Sequence, residues 1–485
     1  MKMQSHPDLG NIPTHWEVAE LGDVADVTKL AGYEFTKHIK YIEDGEIIAL
    51  RSLNVVDGQL DLSNVKRIAR TVSEELPRSK LFQNDLLLTY TGSKLGDTAL
   101  IDNNDTYHLA PNVCRLRANE DDDAYFLYVY LRSKVFANLL DSFKVGSGQP
   151  TVPMKNIRKI PLPWPPKEER KKIGLIFSGL TEKIELNTQT NQTLEQIAQA
   201  LFKSWFVDFD PVKAKIETLA TGGSADDAEL AAMRVISTKT LDELNSLNAS
   251  NPEAFRKLAE AASLFPEKLV ESELGLIPEG WKVGTLDSHT SMIIDHRGKT
   301  PKKLGSDWVE KGYPAISAKN IKSKKIVRPD TIRFIDEATY KKWMKEPLIK
   351  GDIIMTSEAP MGELYFFDGS EDFCLSQRLY GLRANSDVCS PEYLFNWLQT
   401  TKAKADMEGR ASGTTALGIK QAELRKVKIL TPPLELLEKY SAVASNLVDM
   451  AAKNNAQNTV LEDLRDTLLP KLLSGEIDLT SEVIA

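Results

Sequence analysis

Between Lys167 and Phe206 the positions Ile173, Phe177, Leu180, Ile184, Asn187, Asn191, Leu194, Ala198, Leu201 and Trp205 step by four and three residues alternately. That 3.5-residue period belongs to a helix packed lengthwise on another helix. The stretch follows Pro161-Leu162-Pro163-Trp164-Pro165-Pro166 and meets no further proline until Pro211. Proline is welcome just before a helix and excluded from its interior. About 40 residues at ~1.5 Å each make a rod roughly 60 Å long, which needs a partner to keep its apolar seam dry. The partner lies in the same chain: Tyr440, Ala444, Leu447, Ala451, Asn454, Asn458, Leu461, Arg465, Leu468 and Leu472 repeat the pattern 267 residues on (Tyr440 against Ile173). This copy also follows a double proline, Pro432-Pro433, and ends near Ser474-Gly475, a good C-terminal cap. The polar breaks coincide, Asn187 and Asn191 in one copy, Asn454 and Asn458 in the other. If the rods lie antiparallel these layers meet at the centre, where a buried Asn costs stability but fixes register. The four are assigned to helix pairing; on two unrelated surface helices they would simply be exposed.

The offset extends beyond the rods. Ile12-Pro13-Thr14-His15-Trp16 answers to Ile277-Pro278-Glu279-Gly280-Trp281, and Ala49-Leu50-Arg51-Ser52-Leu53-Asn54 to Ala315-Ile316-Ser317-Ala318-Lys319-Asn320. Asn84-Asp85-Leu86 answers to Gly351-Asp352-Ile353, Leu116-Arg117-Ala118-Asn119 to Leu382-Arg383-Ala384-Asn385, and Ser147-Gly148 to Ser412-Gly413. Each half is therefore one globular module followed by one long helix. Short runs such as Asp85–Tyr90 and Asp352–Thr356, bounded by turn residues, read as strands. A helix is expected at 124–140 and its match at 391–407. The segments between framework residues diverge, which suits two readers of two targets. Residues 211–273 are alanine-rich, with seven basic against eleven acidic residues, and read as a helical connector.

The expected class is mixed α/β: two strand-rich α/β domains joined by two long antiparallel coiled-coil helices, with an internal pseudo-two-fold repeat. The expected boundaries are 1–164 for the first recognition domain, 165–210 for the first long helix and 211–274 for the connector. The second domain follows at 275–431, the second helix at 432–475 and a tail at 476–485. At 485 residues, 42% apolar and 27% charged, the composition is that of a globular protein. No apolar run approaches a membrane span, the N-terminus lacks a signal-peptide core, and Cys114, Cys374 and Cys389 have no paired spacing; the cytoplasm is the expected location.

Enzyme signatures are missing. Gly298-Lys299-Thr300 has the tail of a phosphate loop, but position 293 is Ile where the first glycine is required. No Gly-x-Gly-x-x-Gly follows a strand, no Asn-Pro-Pro-aromatic run occurs, and six scattered histidines offer no metal-ligand spacing. The chain is expected to do no chemistry and to bind neither metal nor cofactor. Binding remains. Although the net charge is -8, Asp295–Lys350 carries fifteen Lys or Arg against seven Asp or Glu, which suits a phosphate backbone. The small polar loops around Ser147, Gly148, Gln149 and Thr151, and around Ser412, Gly413, Thr414 and Thr415, let backbone amides approach a ligand closely.

At this point the residues resemble a known family. Leu201-Phe202-Lys203-Ser204-Trp205-Phe206-Val207-Asp208-Phe209 resembles the central conserved region of specificity (S) subunits of type I restriction-modification systems. Leu468-Leu469-Pro470-Lys471-Leu472-Leu473-Ser474-Gly475-Glu476-Ile477 looks like their C-terminal conserved region, and the Ile-Pro-x-x-Trp openings at Ile12 and Ile277 like the starts of their two target-recognition domains. One departure is that the exit Leu430-Thr431-Pro432-Pro433-Leu434-Glu435 lacks the Glu168-Glu169-Arg170 of the first half, taken as drift at the helix start. The resemblance implies a non-catalytic subunit that reads a split site on double-stranded DNA, each domain taking half and the rods setting the gap. It implies two modification (M) methyltransferase subunits using S-adenosylmethionine, and restriction (R) subunits using ATP and Mg. Base readout needs polar side chains on loops facing a groove. Carry-over of position nominates Arg51, Ser52, Asn54, Thr91, Lys94 and the 147–151 loop in the first domain. In the second it nominates Ser317, Lys319, Asn320, Ser357, Gln377, Arg378 and the 412–415 loop. The alternative is a coiled-coil scaffold that binds proteins rather than DNA, which would lack salt-dependent DNA affinity.

Overall fold

Strand-forming runs of Ile, Leu and Val recur at matching places in both halves, and both halves fold them alike. The computed structural model describes residues 2–56, 58–146, 148–413 and 417–479. Two compact units are present, one made of the described residues of Met1–Thr188 and Asn455–Ala485, the other of Gln189–Asn454. The division falls inside both long helices, so each unit holds a stretch of each.

The first unit has a four-stranded sheet in the order Thr98–Leu100, Leu86–Thr89, Val113–Ala118, Ala25–Lys29. Its second sheet runs Lys66–Ile68, Ile47–Leu50, Tyr107–Leu109, Lys80–Leu81, with the middle pair parallel. The second unit repeats this. One sheet runs Thr290–Asp295, Leu379–Ala384, Ile353–Thr356, Leu364–Phe366; the other runs Arg333–Ile335, Tyr313–Ile316, Cys374–Leu375, its last pair parallel. Ile47–Leu50, Leu86–Thr89 and Ile353–Thr356 are buried at every residue. Continuous rather than alternating apolar runs are what strands covered on both faces require.

The matching Asp and Arg signals form the same buried fork twice. Arg117 donates from Nε and Nη2 to Asp85 at 2.6 and 2.7 Å, and Arg383 donates likewise to Asp352 at 2.9 and 2.7 Å. Both aspartates are almost fully buried, so each fork neutralises a charge the core could not otherwise hold.

Lys167–Phe206 and Leu434–Leu473 are each single helices of 40 residues. Every named seam position is buried or half-buried. In the first unit the start of one helix (Ile173, Phe177) shares a core with the end of the other (Leu468, Leu472), so the stretches run antiparallel. Here Asn187 donates to Asn458 Oδ1 at 2.8 Å and to Gln457 Oε1 at 2.9 Å. In the second unit Asn454 donates to Asn191 Oδ1 at 2.8 Å, and Asn191 to the Ala451 carbonyl at 3.3 Å. The helix ends close on the module openings. Gly475 (φ 66°) lies so near Pro13 that an added Cβ would fall 2.2 Å from its Cγ, and Trp281 packs 6.0 Å from Phe206 and 5.7 Å from Phe209, centroid to centroid.

Two expectations need correction. The helix expected at 124–140 is two helices, Ala124–Leu131 and Lys134–Ser142, because Ser133 caps the second through a bond from Phe136 N. Its match divides into Pro391–Leu398 and Thr401–Arg410, capped by Thr400. The missing Glu-Glu-Arg is a change of chemistry rather than drift. Glu169 accepts bonds from Trp16 Nε1 and His15 Nε2, both 2.9 Å, while Arg170 pairs with buried Asp123. At the matching positions Leu436 and Leu437 are buried in an apolar core. The connector forms four helices, Asp210–Ala220, Ala225–Ser237, Leu241–Ser250 and Pro252–Ser263, with a small core of Ala232, Met233, Leu244 and Ala262.

Candidate nucleic-acid interface

Both modules gather the nominated loops at one end of their sheets through the same hydrogen bonds. In the first, Ala110 N donates to Leu50 O at 3.0 Å, Tyr90 N to Asn112 O at 3.2 Å and Val152 N to Tyr90 O at 2.9 Å. In the second, Ser376 N donates to Ile316 O at 2.8 Å, Ser357 N to Arg378 O at 2.8 Å and Ile419 N to Ser357 O at 3.0 Å. The carboxyl ends of Ile47–Leu50 and Leu86–Thr89 thus meet the amino end of Val113–Ala118, and their counterparts do the same.

Within the first edge Thr91 and Thr151 share a 2.6 Å hydroxyl contact, and Gly92 N donates to Pro150 O at 3.0 Å. Lys94 reaches Val55 O at 3.5 Å and lies 3.9 Å from Asp97. Arg51 donates from Nη2 to Asn64 O at 2.9 Å, Ser52 is half-buried beside it, and Gly148 and Gln149 are exposed. Within the second edge Lys319, Gln377, Arg378, Ser412 and Gly413 are exposed, and Ala318 N donates to Gln377 O at 3.4 Å. Ser147, Thr414 and Thr415 lie outside the described residues.

Asn54 and Asn320 are nominated as readers, and the structure corrects both. Asn54 is 1% exposed; its Oδ1 accepts from Arg51 N at 3.1 Å, and its Nδ2 donates to Asp61 O at 2.9 Å and Asn64 O at 3.0 Å. Asn320 is fully buried; its Oδ1 accepts from Ser317 N at 3.1 Å, and its Nδ2 donates to Val327 O, Arg328 O and Thr331 Oγ1. Each side chain is consumed in bracing its loop, as a buried amide must be. Thr91 and Ser357 are also buried, and the Thr91 hydroxyl is engaged with Thr151 inside the edge, so both shape the edge rather than face a ligand.

Part of the positive excess in Asp295–Lys350 is already paired: Arg297 forks onto Asp295, Lys324 contacts Glu195, and Lys350 donates to Asp449 at 2.7 Å. Lys299 donates to Trp343 O at 2.9 Å; burial, with Lys345 near by, holds its ammonium below the ordinary lysine value. The three cysteines are buried and unbridged, and burial pushes each thiol up to about 12, which makes them core residues rather than nucleophiles.

Three edge residues escaped sequence reasoning. Asn112 stands where the second module has Arg378; the signal was the repeat offset (378 against 112, a difference of 266). Glu358 meets Arg378 Nε at 3.0 Å. Lys29 lies 5.1 Å over the Tyr90 ring; nothing in its local sequence marked it.

A scaffold built twice, with its loops gathered at the same edge each time and different side chains displayed there, defines a duplicated recognition protein carried on paired helices. Comparison with known proteins makes the class specific. The chain belongs to the type I restriction modification DNA specificity domain family, whose model matches residues 13–196 and 278–462. The HindI type I restriction enzyme specificity subunit of Haemophilus influenzae is 29% identical over 95% of this chain and 99% of its own length. The MjaIX specificity subunit of Methanocaldococcus jannaschii is 22% identical over 97% and 95%. The crystal structure of a type I restriction-modification S subunit from M. genitalium shares the fold, with a TM-score of 0.54 and 14% identity over 97% of both chains.

Proposed function

We propose that this chain is the non-catalytic DNA-recognition subunit of a type I restriction-modification complex. Each module reads one half of a split DNA sequence, and the paired helices set the unspecified gap between the halves. The observation that carries this reading is the duplicated edge. The buried braces are alike, Asn54 matching Asn320 and Asp85–Arg117 matching Asp352–Arg383. The exposed side chains above them differ, as two readers of two half-sites require. The family match and the specificity subunits among the relatives point the same way.

On this reading two methyltransferase subunits dock on the chain and methylate adenine with S-adenosylmethionine. Restriction subunits join them and cleave unmethylated DNA with ATP and Mg. The cofactors belong to the partners, and this chain supplies the address. Its place is the cytoplasm, where the DNA is; among the described residues no helix is long and apolar enough to cross a membrane.

The deciding experiment is co-expression with the neighbouring methyltransferase subunit, followed by mapping of the methylated adenines. A two-part motif with a fixed gap is the expected result. A continuous motif would mean that one module alone reads sequence. No new methylation, with the partner bound and active, would favour the protein-binding scaffold.

A further inference from the structure

Left-handed backbone recurs at the repeat offset in both edges. Glycine supplies it in at least one copy at Gly92 and Ala359, Gly96 and Gly362, and Gly146 and Gly413; the bridges Val145–Thr151 and Ser412–Gly418 set this last match and correct the one expected from Ser147-Gly148 and Ser412-Gly413. One edge position departs from this among the described residues: Asn112 (φ 76°) and Arg378 (φ 65°) put a side chain on left-handed backbone in both copies. Glycine would be the unstrained choice there. Asparagine tolerates this backbone, whereas arginine is strained on it; a position that carries half-buried Asn112 in one copy and exposed Arg378 in the other is a place to display unlike side chains.

The surroundings fit that role. Residues 110–112 and 376–378 are the short links that carry the chain from one sheet of a module to the other. Each is pinned on both sides, by Ala110 N to Leu50 O and Tyr90 N to Asn112 O, and by Ser376 N to Ile316 O and Ser357 N to Arg378 O. The Arg378 side chain is 53% exposed, and its Nε meets Glu358 Oε1 at 3.0 Å. That ion pair turns the guanidinium toward Glu358, which reduces the side-chain freedom lost when the fork engages a ligand.

We infer that position 112/378 is the base-reading position of the two modules, with Arg378 reading guanine, Asn112 reading adenine, and Glu358 positioning the arginine. In the major groove guanine offers the paired acceptors O6 and N7 to an arginine fork, while adenine offers N7 and the N6 amino group to an Asn amide. The inference rests on the DNA-reading function proposed above and assigns which residue reads which base.

The test uses the intact complex of this chain with its methyltransferase subunits and compares methylation motifs. The wild-type motif comes first: absence of a two-part motif refutes the proposed function, whereas a two-part motif lets the residue assignments be judged alone. Arg378→Gln should lower guanine discrimination at one position of one half-site by roughly 5- to 150-fold and leave the other half-site unchanged. Asn112→Asp should act on the other half-site, moving one position from adenine toward cytosine, whose N4 amino group a carboxylate accepts. Glu358→Gln should loosen the same guanine with complex recovery unchanged; lower recovery with an unchanged motif would make Glu358 structural and overturn its role. If Arg378→Gln does not assemble, Arg378→Lys, a point charge in place of a fork, should still weaken guanine discrimination. An unaltered motif in these variants, equal loss at every sequence, or a half-site with no specified guanine overturns the inference.

Discussion

Asp123→Ala should destabilise the first unit by about 3–5 kcal/mol, because it strands a buried cation. Arg170 donates to Asp123 from Nε at 2.7 Å and from Nη2 at 3.0 Å, and the two side chains are only 8% and 6% exposed. What would remain is one bond from Nη1 to Pro165 O at 2.7 Å and the Trp164 ring 3.9 Å below the guanidinium. Those contacts do not replace a carboxylate. For a unit of this size each kcal/mol moves the melting temperature by about 2–4 °C, so the drop should be roughly 6–20 °C. The second module supplies the precedent: Leu437, 1% exposed, stands at the position of Arg170, and Ser390, the cap of the matching helix, at that of Asp123. Replacing both partners of a buried pair by apolar groups is often neutral, so Asp123→Ala combined with Arg170→Leu should recover most of the loss. Thermal unfolding of the full chain, with hydrogen exchange in Val113–Ala118 reporting on this unit, compares the two variants with the parent. A single-mutant cost below about 1 kcal/mol, or a double mutant no better than the single, refutes the reasoning.

Four residues inserted into both long helices beside Asn187 and Asn458 add about 6 Å, near two base-pair steps, and should change the gap in the methylated motif accordingly; an unchanged gap would sink the ruler role. Asn320→Ala should cost roughly 1–3 kcal/mol in unfolding experiments and weaken one half-site without favouring any base, since it unbraces the loop rather than removing a reader. A loss confined to one base would show direct contact instead. Burial first, and Lys299 second, hold His296 down to about 4, against about 6.5 in an unfolded chain. Below pH ~6.5 the unfolded state therefore binds the extra proton, so stability is full above that value and falls toward pH 4. Melting temperatures measured across that range should decline less in His296→Gln; identical slopes would exclude the histidine.

Periodicity made the rods legible: a 3.5-residue pattern persisting through Lys167–Phe206 leaves little choice of structure, and its repetition named the partner. The strands were legible where continuous apolar runs such as Leu86-Leu87-Leu88 met turn residues. The edge was legible only as a region. Asn54 and Asn320 carried the same polar label as an exposed reader, and only their buried bonds show that they brace loops. The break at Ser133 was hidden because apolar residues continue across it, and a cap becomes decisive only once the second helix packs. Glu358 could not be seen because an ion pair 20 residues from its partner has no local pattern.

The pairing of alike braces with unlike displays has an energetic consequence. The forks on Asp85 and Asp352 hold otherwise unpaired buried charges, so losing one partner costs several kcal/mol. The displayed side chains stand in solvent, where substitutions usually change stability by less than about 0.5 kcal/mol. Selection on folding therefore acts strongly on Asn54, Asn320, Asp85 and Asp352, and weakly on Gln377 or Gln149, which are exposed. Arg378 lies between these extremes, exposed but on left-handed backbone. On the function proposed above, substitutions at the exposed positions redirect recognition while the fold stays nearly untouched, and those that reach the braces destabilise the module first.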